Sequence, residues 1–318
     1  MTHDQDRLNG SPRIPLTTRW GIGLAVVAAL ISGVSIFING SAVRQLPDPA
    51  VYTTIKNGVA ALLLLGVALA VVPRAEVRSL DRRSWTGMIL VGIIGGSIPF
   101  VLFFSGLAAA SAPSAAFIQK TLFVWVALLA VPLVGERLGW FPIAAMGILL
   151  AGLVLVAPPV GVVWGPGETM IAAATLFWAV EVIIARRLLV GGVPSPVLAA
   201  ARLGIGLVVL VGYLAVSGRL DMVAALSATQ WLWGLGTGAI LAAYVGTWFA
   251  ALRRAPASVV ASVLVLGAPV TAVISSIADG TIPAPSVVAG QVLITMAVVV
   301  VVVLGVRGVR REAAVASC

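Results

Sequence analysis

The chain has 318 residues, of which 60% are hydrophobic and only 10% charged, and its formal net charge is +9. Soluble domains carry about 25% charged residues, so this composition excludes a largely water-exposed surface and indicates one that faces lipid. A single cysteine and a single histidine exclude a disulfide framework and a Cys- or His-based metal site, and we expect no cofactor. The arginines lie singly or in pairs between apolar runs, which argues against nucleic acid as a partner.

Ten apolar spans follow one another along the chain, with short connections between them. Backbone polar groups in lipid must be satisfied within their own segment, so we expect each span to be an α-helix. The first span is longer than the core of a secretory signal peptide, and we expect it to be retained. The spans cover residues 20–38, 50–72, 85–106, 112–134, 140–156, 168–186, 196–216, 231–252, 257–278 and 286–306.

Basic residues are distributed unequally between the connections. If the N-terminus is cytoplasmic, fifteen arginines fall in cytoplasmic segments and only Arg44 and Arg219 in outer connections. This bias follows the positive-inside rule and predicts that both termini are cytoplasmic. Polar tails over 1–19 and 307–318 would then lie on the cytoplasmic side.

The two halves of the chain resemble each other at an offset of 146 residues. Trp85 and Trp231 open the third and eighth spans, and Gly92 and Gly238 keep the same offset. A half with five helices has an odd number of crossings, so the second half enters the membrane inverted. The sequence predicts an all-α integral membrane protein with ten transmembrane helices in two inverted five-helix repeats, 20–157 and 158–306. Such repeats are typical of secondary transporters.

Four charged residues lie deep inside the spans, where burial is costly unless the charge has a partner or a function. Lys56 and Lys120 are each about seven to nine residues from the outer ends of spans two and four, roughly 10–13 Å deep. Glu181 and Arg202 lie at matching depth in the inner half of consecutive spans. They are predicted to form an ion pair, and the alternative for Glu181 is a proton-coupling site.

The two lysines have no carboxylate at their own depth. Either one of them is uncharged or an anion binds between them, so both are candidate substrate-binding residues. Alternatively, Lys56 extends towards Asp48 and the membrane interface. Gln119 lies beside Lys120 and makes this part of the span locally polar. Contact with lipid would be unfavourable there, so we expect the segment to face a cavity. The other candidates for a pocket wall are aromatic residues, for which helix packing is the alternative role: Tyr52, Trp178 and Tyr244.

The chain lacks the motifs that an ATP-driven pump or a membrane enzyme would need. It has no Walker motif and no Asp-x-x-Asp cluster, and its one histidine is in the N-terminal tail. The glycine-rich run at 234–238 lies inside a span and follows no strand. We therefore predict that the protein is not an enzyme, and a non-transporting membrane subunit is the other alternative to a transporter.

Three segments of the chain resemble the EamA-type repeat of the drug/metabolite transporter superfamily. They are LISGVSIFING in span one, LLAVPLVGERLGW at the end of span four and LFWAVEVIIARRL in span six; the most specific part is Gly135-Glu136-Arg137-Leu138. A proline that the family carries in the fourth span of a repeat is present in the second copy as Pro269, whereas the first copy has Phe123. The second copy ends in Asp279-Gly280-Thr281 instead of the Gly-Glu pair.

The resemblance implies a ten-helix transporter with a central cavity between its halves and with helices five and ten at the periphery. It implies a multi-pass protein of a bacterial inner membrane that exports an amino acid or a related small metabolite. The lysines add organic anions to the candidate substrates, alternating access is the expected mechanism, and protons are the candidate coupling ion. Export of drugs or lipophilic cations is the alternative within the superfamily, and both a monomer and a homodimer are open.

Overall fold

The computed structural model describes residues 16–110, 112–136, 138–156 and 164–316. Regular structure within these ranges is entirely helical. The N-terminal tail with Arg7 and Arg13, the connection 157–163, Arg137 and the last two residues lie outside the described residues. What the sequence predicts for them therefore stays a prediction.

Fifteen α-helices make up the described part of the chain, together with a 3₁₀ turn at Val43–Gln45. They are α1 (Leu16–Ala42), α2 (Pro49–Val71), α3 (Arg74–Arg78), α4 (Arg82–Gly96), α5 (Ile98–Ala109), α6 (Ala112–Lys120), α7 (Leu122–Val134), α8 (Trp140–Val156), α9 (Pro166–Val190), α10 (Ser195–Val216), α11 (Leu220–Ala224), α12 (Ala228–Arg254), α13 (Ala257–Leu264), α14 (Gly267–Asp279) and α15 (Pro285–Ala316).

These helices form ten apolar segments, in agreement with the number predicted. In the described ranges, nine segments are long and apolar enough to cross a membrane, and Ile143–Val156 within α8 is a shorter apolar helix. The protein is therefore an all-helical membrane protein with ten spans. Seven spans each contain one long helix, whereas spans three, four and nine each contain two helices in line.

The break in span three separates α4 from α5 at Ser97, whose φ and ψ are −135° and −73°. Pro99 accounts for it, because its ring removes one backbone donor and would collide with the carbonyl of Gly95 in a continuous helix. In span nine, Pro269 is the third residue of α14 and follows the break between α13 and α14 in a similar way. The sequence analysis expected each span to be helical and identified no break within one, because a proline in an apolar run does not lower the hydropathy that marks a span.

Span four is broken as well, although it has no proline at the corresponding point. A single turn residue, Thr121, separates α6 from α7. Its hydroxyl donates a 2.6 Å hydrogen bond to the carbonyl oxygen of Ile118, which competes with the helical pattern. Both repeats thus interrupt their fourth helix at the same level, by different means.

Each span of one repeat packs against a span of the other, and the same pairs recur when the two repeats are exchanged. α1 packs against α12, and correspondingly α9 packs against α5; α2 packs against α10. Glycines permit two of these close contacts: a Cβ on Gly92 would lie 2.5 Å from Cβ of Ile205, and one on Gly238 would lie 2.6 Å from Cβ of Val59. Small residues at helix crossings are the usual means of packing in membranes.

The fifth and tenth spans form a separate pair. α8 and α15 pack mainly against each other. The other eight spans surround the central cavity described below. The largest apolar core fills the helix ends beside the arginine-rich connections, and we call that end of the bundle the arginine-rich face.

Candidate functional site

A cavity of about 460 Å³ lies between the eight central spans. This volume is in the range of pockets for small molecules. Seven of the eight site residues named from the sequence lie on its wall, and the eighth, Tyr52, is buried just behind the wall. The seven are Lys56, Gln119, Lys120, Trp178, Glu181, Arg202 and Tyr244.

Lys56 reaches the cavity from α2 and is held in place by aromatic rings. Its Nζ lies 4.9 Å from the ring centroid of Tyr52, 5.0 Å from that of Phe104 and 5.6 Å from that of Phe100. It also donates a 3.4 Å hydrogen bond to Oδ1 of Asn39. Ring faces attract an ammonium group most strongly when water is excluded, and only 4% of Lys56 is exposed.

Lys56 does not extend to Asp48 at the membrane interface. Oδ1 of Asp48 caps the first turn of α2 by accepting from the backbone N–H of Ala50 at 2.7 Å. Its Oδ2 lies 3.3 Å from Nη1 of Arg219. The side chain of Asp48 is thus engaged at the end of α2, and the ammonium of Lys56 stays in the cavity wall.

Asn39 connects several polar groups on the α1 side of the cavity. Its Nδ2 donates to the carbonyl oxygen of Ser35 at 2.7 Å and to its hydroxyl at 2.8 Å. Its Oδ1 accepts from the hydroxyl of Tyr52 as well as from Lys56. We did not select Asn39 or Ser35 as site residues from the sequence. The available signal was the spacing of Ser32, Ser35 and Asn39, which places three polar residues on one face of an apolar helix.

Lys120 enters the cavity from the other side, at the break in span four. It is the last residue of α6, and Gln119 lies beside it on the wall. In the part of the chain that the structure describes, no carboxylate forms an ion pair with Lys120 and no aromatic ring is placed over its ammonium. Lys120 therefore presents its charge to the cavity without the ring contacts that surround Lys56.

Glu181 and Arg202 lie together on the cavity wall. Oε1 of Glu181 is 3.3 Å from Nε of Arg202, and both side chains are almost completely buried. The guanidinium carbon also lies 5.8 Å from the ring centroid of Phe249. Each charge makes the burial of the other less costly, but Oε1 of Glu181 and Nε of Arg202 have no hydrogen-bond partner among the described residues.

Gly95, in the last turn of α4 before the break in span three, makes room for this pair. A Cβ on Gly95 would lie 2.2 Å from Cγ of Glu181 and 3.2 Å from Nε of Arg202, so only glycine fits. The carbonyls released by the break have side-chain donors: Trp178 Nε1 donates to Gly95 at 3.2 Å and Asn57 Nδ2 to Gly96 at 3.2 Å. Broken helices are tolerated at membrane depth where side chains satisfy the backbone in this way.

Aromatic side chains form a large part of the remaining wall, together with aliphatic ones. The ring of Trp178 is edge-on to that of Phe100, with centroids 5.4 Å apart, and is tilted against Phe103 at 5.6 Å. On the α12 side, Tyr244 and Trp248 are stacked at 6.1 Å. The site therefore combines an apolar aromatic wall with a few charged groups, the usual composition of a small-molecule pocket.

The charged groups on the wall are unequal in sign. Among the described residues, Lys56, Lys120 and Arg202 face a single carboxylate, that of Glu181. When all four are ionised, the cavity carries an excess of two positive charges. Among all the described residues, no group of three His, Cys, Asp or Glu side chains is arranged to hold a metal ion.

The family model for the EamA-like transporter family matches residues 19–157 and 165–303. The chain belongs to this family. A solved crystal structure also has the same fold: it is 19% identical, the match covers 89% of this chain and 98% of the other, and the TM-score is 0.73. At that identity the likeness concerns the fold alone. No curated protein matches the chain significantly.

The EamA-like family consists of membrane transporters, not enzymes. The protein is therefore a multi-pass membrane transporter of the drug/metabolite superfamily, with a small molecule and the lipid bilayer as its partners. Within the family pattern, the first repeat departs at Phe123, where the second repeat has Pro269. Span four is nevertheless broken in the structure. The break is at Thr121, two residues before Phe123 and directly after Lys120.

Proposed function

We propose that this EamA-like protein is a secondary active exporter of a small metabolite that carries a carboxylate, either an amino acid or an organic anion. The observation that supports the proposal is the excess of cations around the central cavity. Three cationic side chains and one carboxylate line it. An anionic or zwitterionic substrate would compensate the remaining positive charge, which is costly inside a membrane.

Lys120 is the proposed ligand of the substrate carboxylate, with Gln119 as a neighbouring hydrogen-bonding group. Lys56 supplies a second positive charge, and its contacts with Asn39 and three rings keep it at the cavity wall. The rest of the substrate would contact Trp178 and the other aromatic rings. Tyr244 would close the side opposite these rings.

Glu181 is the proposed coupling residue, with protons as the coupling ion. When Glu181 is ionised, it compensates Arg202 at 3.3 Å. Ionised Glu181 would also attract the ammonium group of an amino acid, and a proton bound to Glu181 would displace that group. Proton and substrate would then compete for one carboxylate, as the exchange of an inward proton for an outward substrate requires.

We propose that the arginine-rich face is cytoplasmic and that the protein lies in a bacterial inner membrane. The support is the positive-inside bias, fifteen arginines against two. Alternating access would then move the substrate from the cytoplasm outwards. Eight spans of this chain line the cavity, so a homodimer would contain two such cavities and a monomer one.

Flux measurements in proteoliposomes test the proposal. We expect uptake of labelled amino acids or organic acids by the wild type and at least a tenfold loss in Lys120→Met. Arg44→Met is the matched control, because Arg44 is exposed and does not line the cavity. Flux of lipophilic cations that needs Glu181 but not Lys120 would support the drug exporter instead. Folded protein without any flux would support a non-transporting subunit.

A further inference from the structure

The structure closes one end of the substrate pathway with a side chain that has no function in the site described above. That side chain is Glu136, which follows the last turn of α7 at the arginine-rich face. It accepts hydrogen bonds from the backbone N–H of Ala257 at 2.5 Å and of Ser258 at 3.1 Å, and from the hydroxyl of Ser258. A residue of the first repeat thus caps the first turn of α13 in the second repeat.

A carboxylate in this position is strongly held. The first N–H groups of a helix have no partner within the helix, and the helix dipole favours a negative charge beside them. Charge-assisted hydrogen bonds of this kind are about twice as strong as neutral ones. On the same face, Arg187 of α9 donates to the carbonyl oxygen of Leu133 in α7. Two connections between the repeats therefore hold α7 in place.

The contact is asymmetric with respect to the two repeats. α7 packs against α13 at the arginine-rich face, whereas α14 and α6, the pair that the repeat makes equivalent, form no comparable interface among the described residues. At that opposite face the cavity wall reaches Val43, at the end of span one. The packing of α7 on α13 therefore separates the cavity from the arginine-rich face, whereas the cavity extends towards the opposite face.

The sequence shows the same asymmetry at the ends of α7 and α14. Both helices end on a glycine with positive φ, Gly135 at 77° and Gly280 at 62°. The residue that follows is Glu136 in the first repeat and Thr281 in the second, and Thr281 is exposed. When inverted repeats exchange conformations, α14 would approach the first turn of α6, and the residue in the position of Glu136 would be Thr281, which has no carboxylate. Asp279 precedes the glycine and belongs to α14 itself.

From these observations we infer that Glu136 is the latch of the inner gate, and that the lack of a counterpart at Thr281 sets the resting state open to the opposite face. This inference goes beyond the proposed function, because it concerns the gate and not the substrate. It makes two substitutions shift the same equilibrium in one direction, towards the state that is open to the arginine-rich face. Glu136→Gln weakens the existing latch, and Thr281→Glu adds a second latch at the other face.

Thiol labelling measures which face is open. The only native cysteine is Cys318, so a Cys318→Ser background allows single reporter cysteines. Ala261→Cys reports access from the arginine-rich face, because Ala261 lies on the cavity wall one turn inside α13. Ile36→Cys reports access from the opposite face. The probe is a membrane-impermeant maleimide applied to vesicles of both orientations.

We expect Glu136→Gln to increase labelling of Ala261→Cys from the arginine-rich face by about tenfold, the factor that corresponds to about 1.4 kcal/mol in the equilibrium between two states. Labelling of Ile36→Cys from the opposite face should fall at the same time. Thr281→Glu should also reduce labelling of Ile36→Cys. This second variant tests the inference even if Glu136→Gln does not fold. Glu76→Gln, an exposed acid at the arginine-rich face, is the control and should change neither rate.

Unchanged labelling in both Glu136→Gln and Thr281→Glu would overturn the inference. So would an increase at both reporters together, since that indicates general loosening instead of exchange between two states. The measurement needs no substrate. A wrong substrate assignment therefore leaves its result unaffected, and a failed latch leaves the flux test of the substrate site intact.

Discussion

The indole Nε1 of Trp178 donates a hydrogen bond to the carbonyl oxygen of Gly95 at 3.2 Å, and this contact joins the second repeat to the broken helix of the first. The break leaves that carbonyl without its usual helical partner. The same glycine makes room for Glu181. Trp178 therefore supports the backbone on which the Glu181–Arg202 pair rests, in addition to forming part of the cavity wall.

Replacing Trp178 by phenylalanine should destabilise the protein. The substitution keeps an aromatic ring but leaves a buried carbonyl without a donor, which costs about 1–3 kcal/mol. We expect a lower melting temperature of the purified protein in detergent. Trp164→Phe is the control, because Trp164 is largely exposed and should tolerate the change. Equal melting temperatures for wild type and Trp178→Phe would show that the hydrogen bond contributes nothing.

Gly95→Ala should abolish transport without adding or removing a charge. The new methyl group would lie 2.2 Å from Cγ of Glu181, so the carboxylate must move away from Arg202. Gly204→Ala is a matched substitution in α10, where a Cβ meets no atom within 4 Å. Flux measurements on the two variants should differ by at least tenfold. Similar activities would mean that the position of Glu181 is not critical.

The Glu181–Arg202 pair can be tested by a double-mutant cycle. Glu181→Gln leaves Arg202 buried without compensation, and Arg202→Met does the same to Glu181. Each single change should cost about 3–5 kcal/mol, and the double variant should recover most of it. Thermal unfolding measures the stability of all three variants. If the losses simply add, the two side chains do not interact as the 3.3 Å distance indicates.

The same cycle separates structural pairing from coupling. If the pair serves only stability, the double variant should regain pH-driven flux together with its stability. The proposed coupling role predicts instead that it folds but no longer accumulates substrate in response to a proton gradient. Counterflow without a gradient should persist in that variant.

The two lysines should respond differently to substitution. Lys56→Met removes an ammonium that lies about 5 Å from the ring centroids of Tyr52 and Phe104, and each such contact is worth about 0.5–2 kcal/mol. We expect a lower melting temperature for Lys56→Met and little change for Lys120→Met. Melting temperatures of both variants without ligand provide the test. The reverse order would indicate that Lys120 is the structural lysine.

Much of the architecture follows from composition alone, because lipid permits few backbone arrangements. The ten spans, their helical structure and the two repeats could be read from hydropathy and from landmark pairs such as Trp85 and Trp231. Counting residues from the ends of the spans also placed Glu181 and Arg202 at the same depth in the membrane, because the rise per residue is constant in a helix.

The breaks and the polar network were not deduced from the sequence, although Pro99, Pro269 and the spacing of the polar residues on α1 were signals for them. Thr121 interrupts span four through a hydroxyl that has no effect on hydropathy, and Pro99 acts through the carbonyl of a residue four positions earlier. Asn39 joins Lys56 only because α1 and α2 are adjacent at that level, which depends on side-chain packing between helices. The link between Glu136 and Ser258 spans 122 residues and arises from the way the two repeats assemble.

The central claim is that a cationic cavity binds a carboxylate through Lys120. The most direct measurement is the thermal stability of the purified protein against a panel of organic acids, amino acids and lipophilic cations. A ligand at 100 times its dissociation constant stabilises by about 2.7 kcal/mol, which a melting curve resolves. We predict that acids or amino acids stabilise the wild type and Arg44→Met but not Lys120→Met. Stabilisation by cations alone, retained in Lys120→Met and lost in Glu181→Gln, would contradict the account.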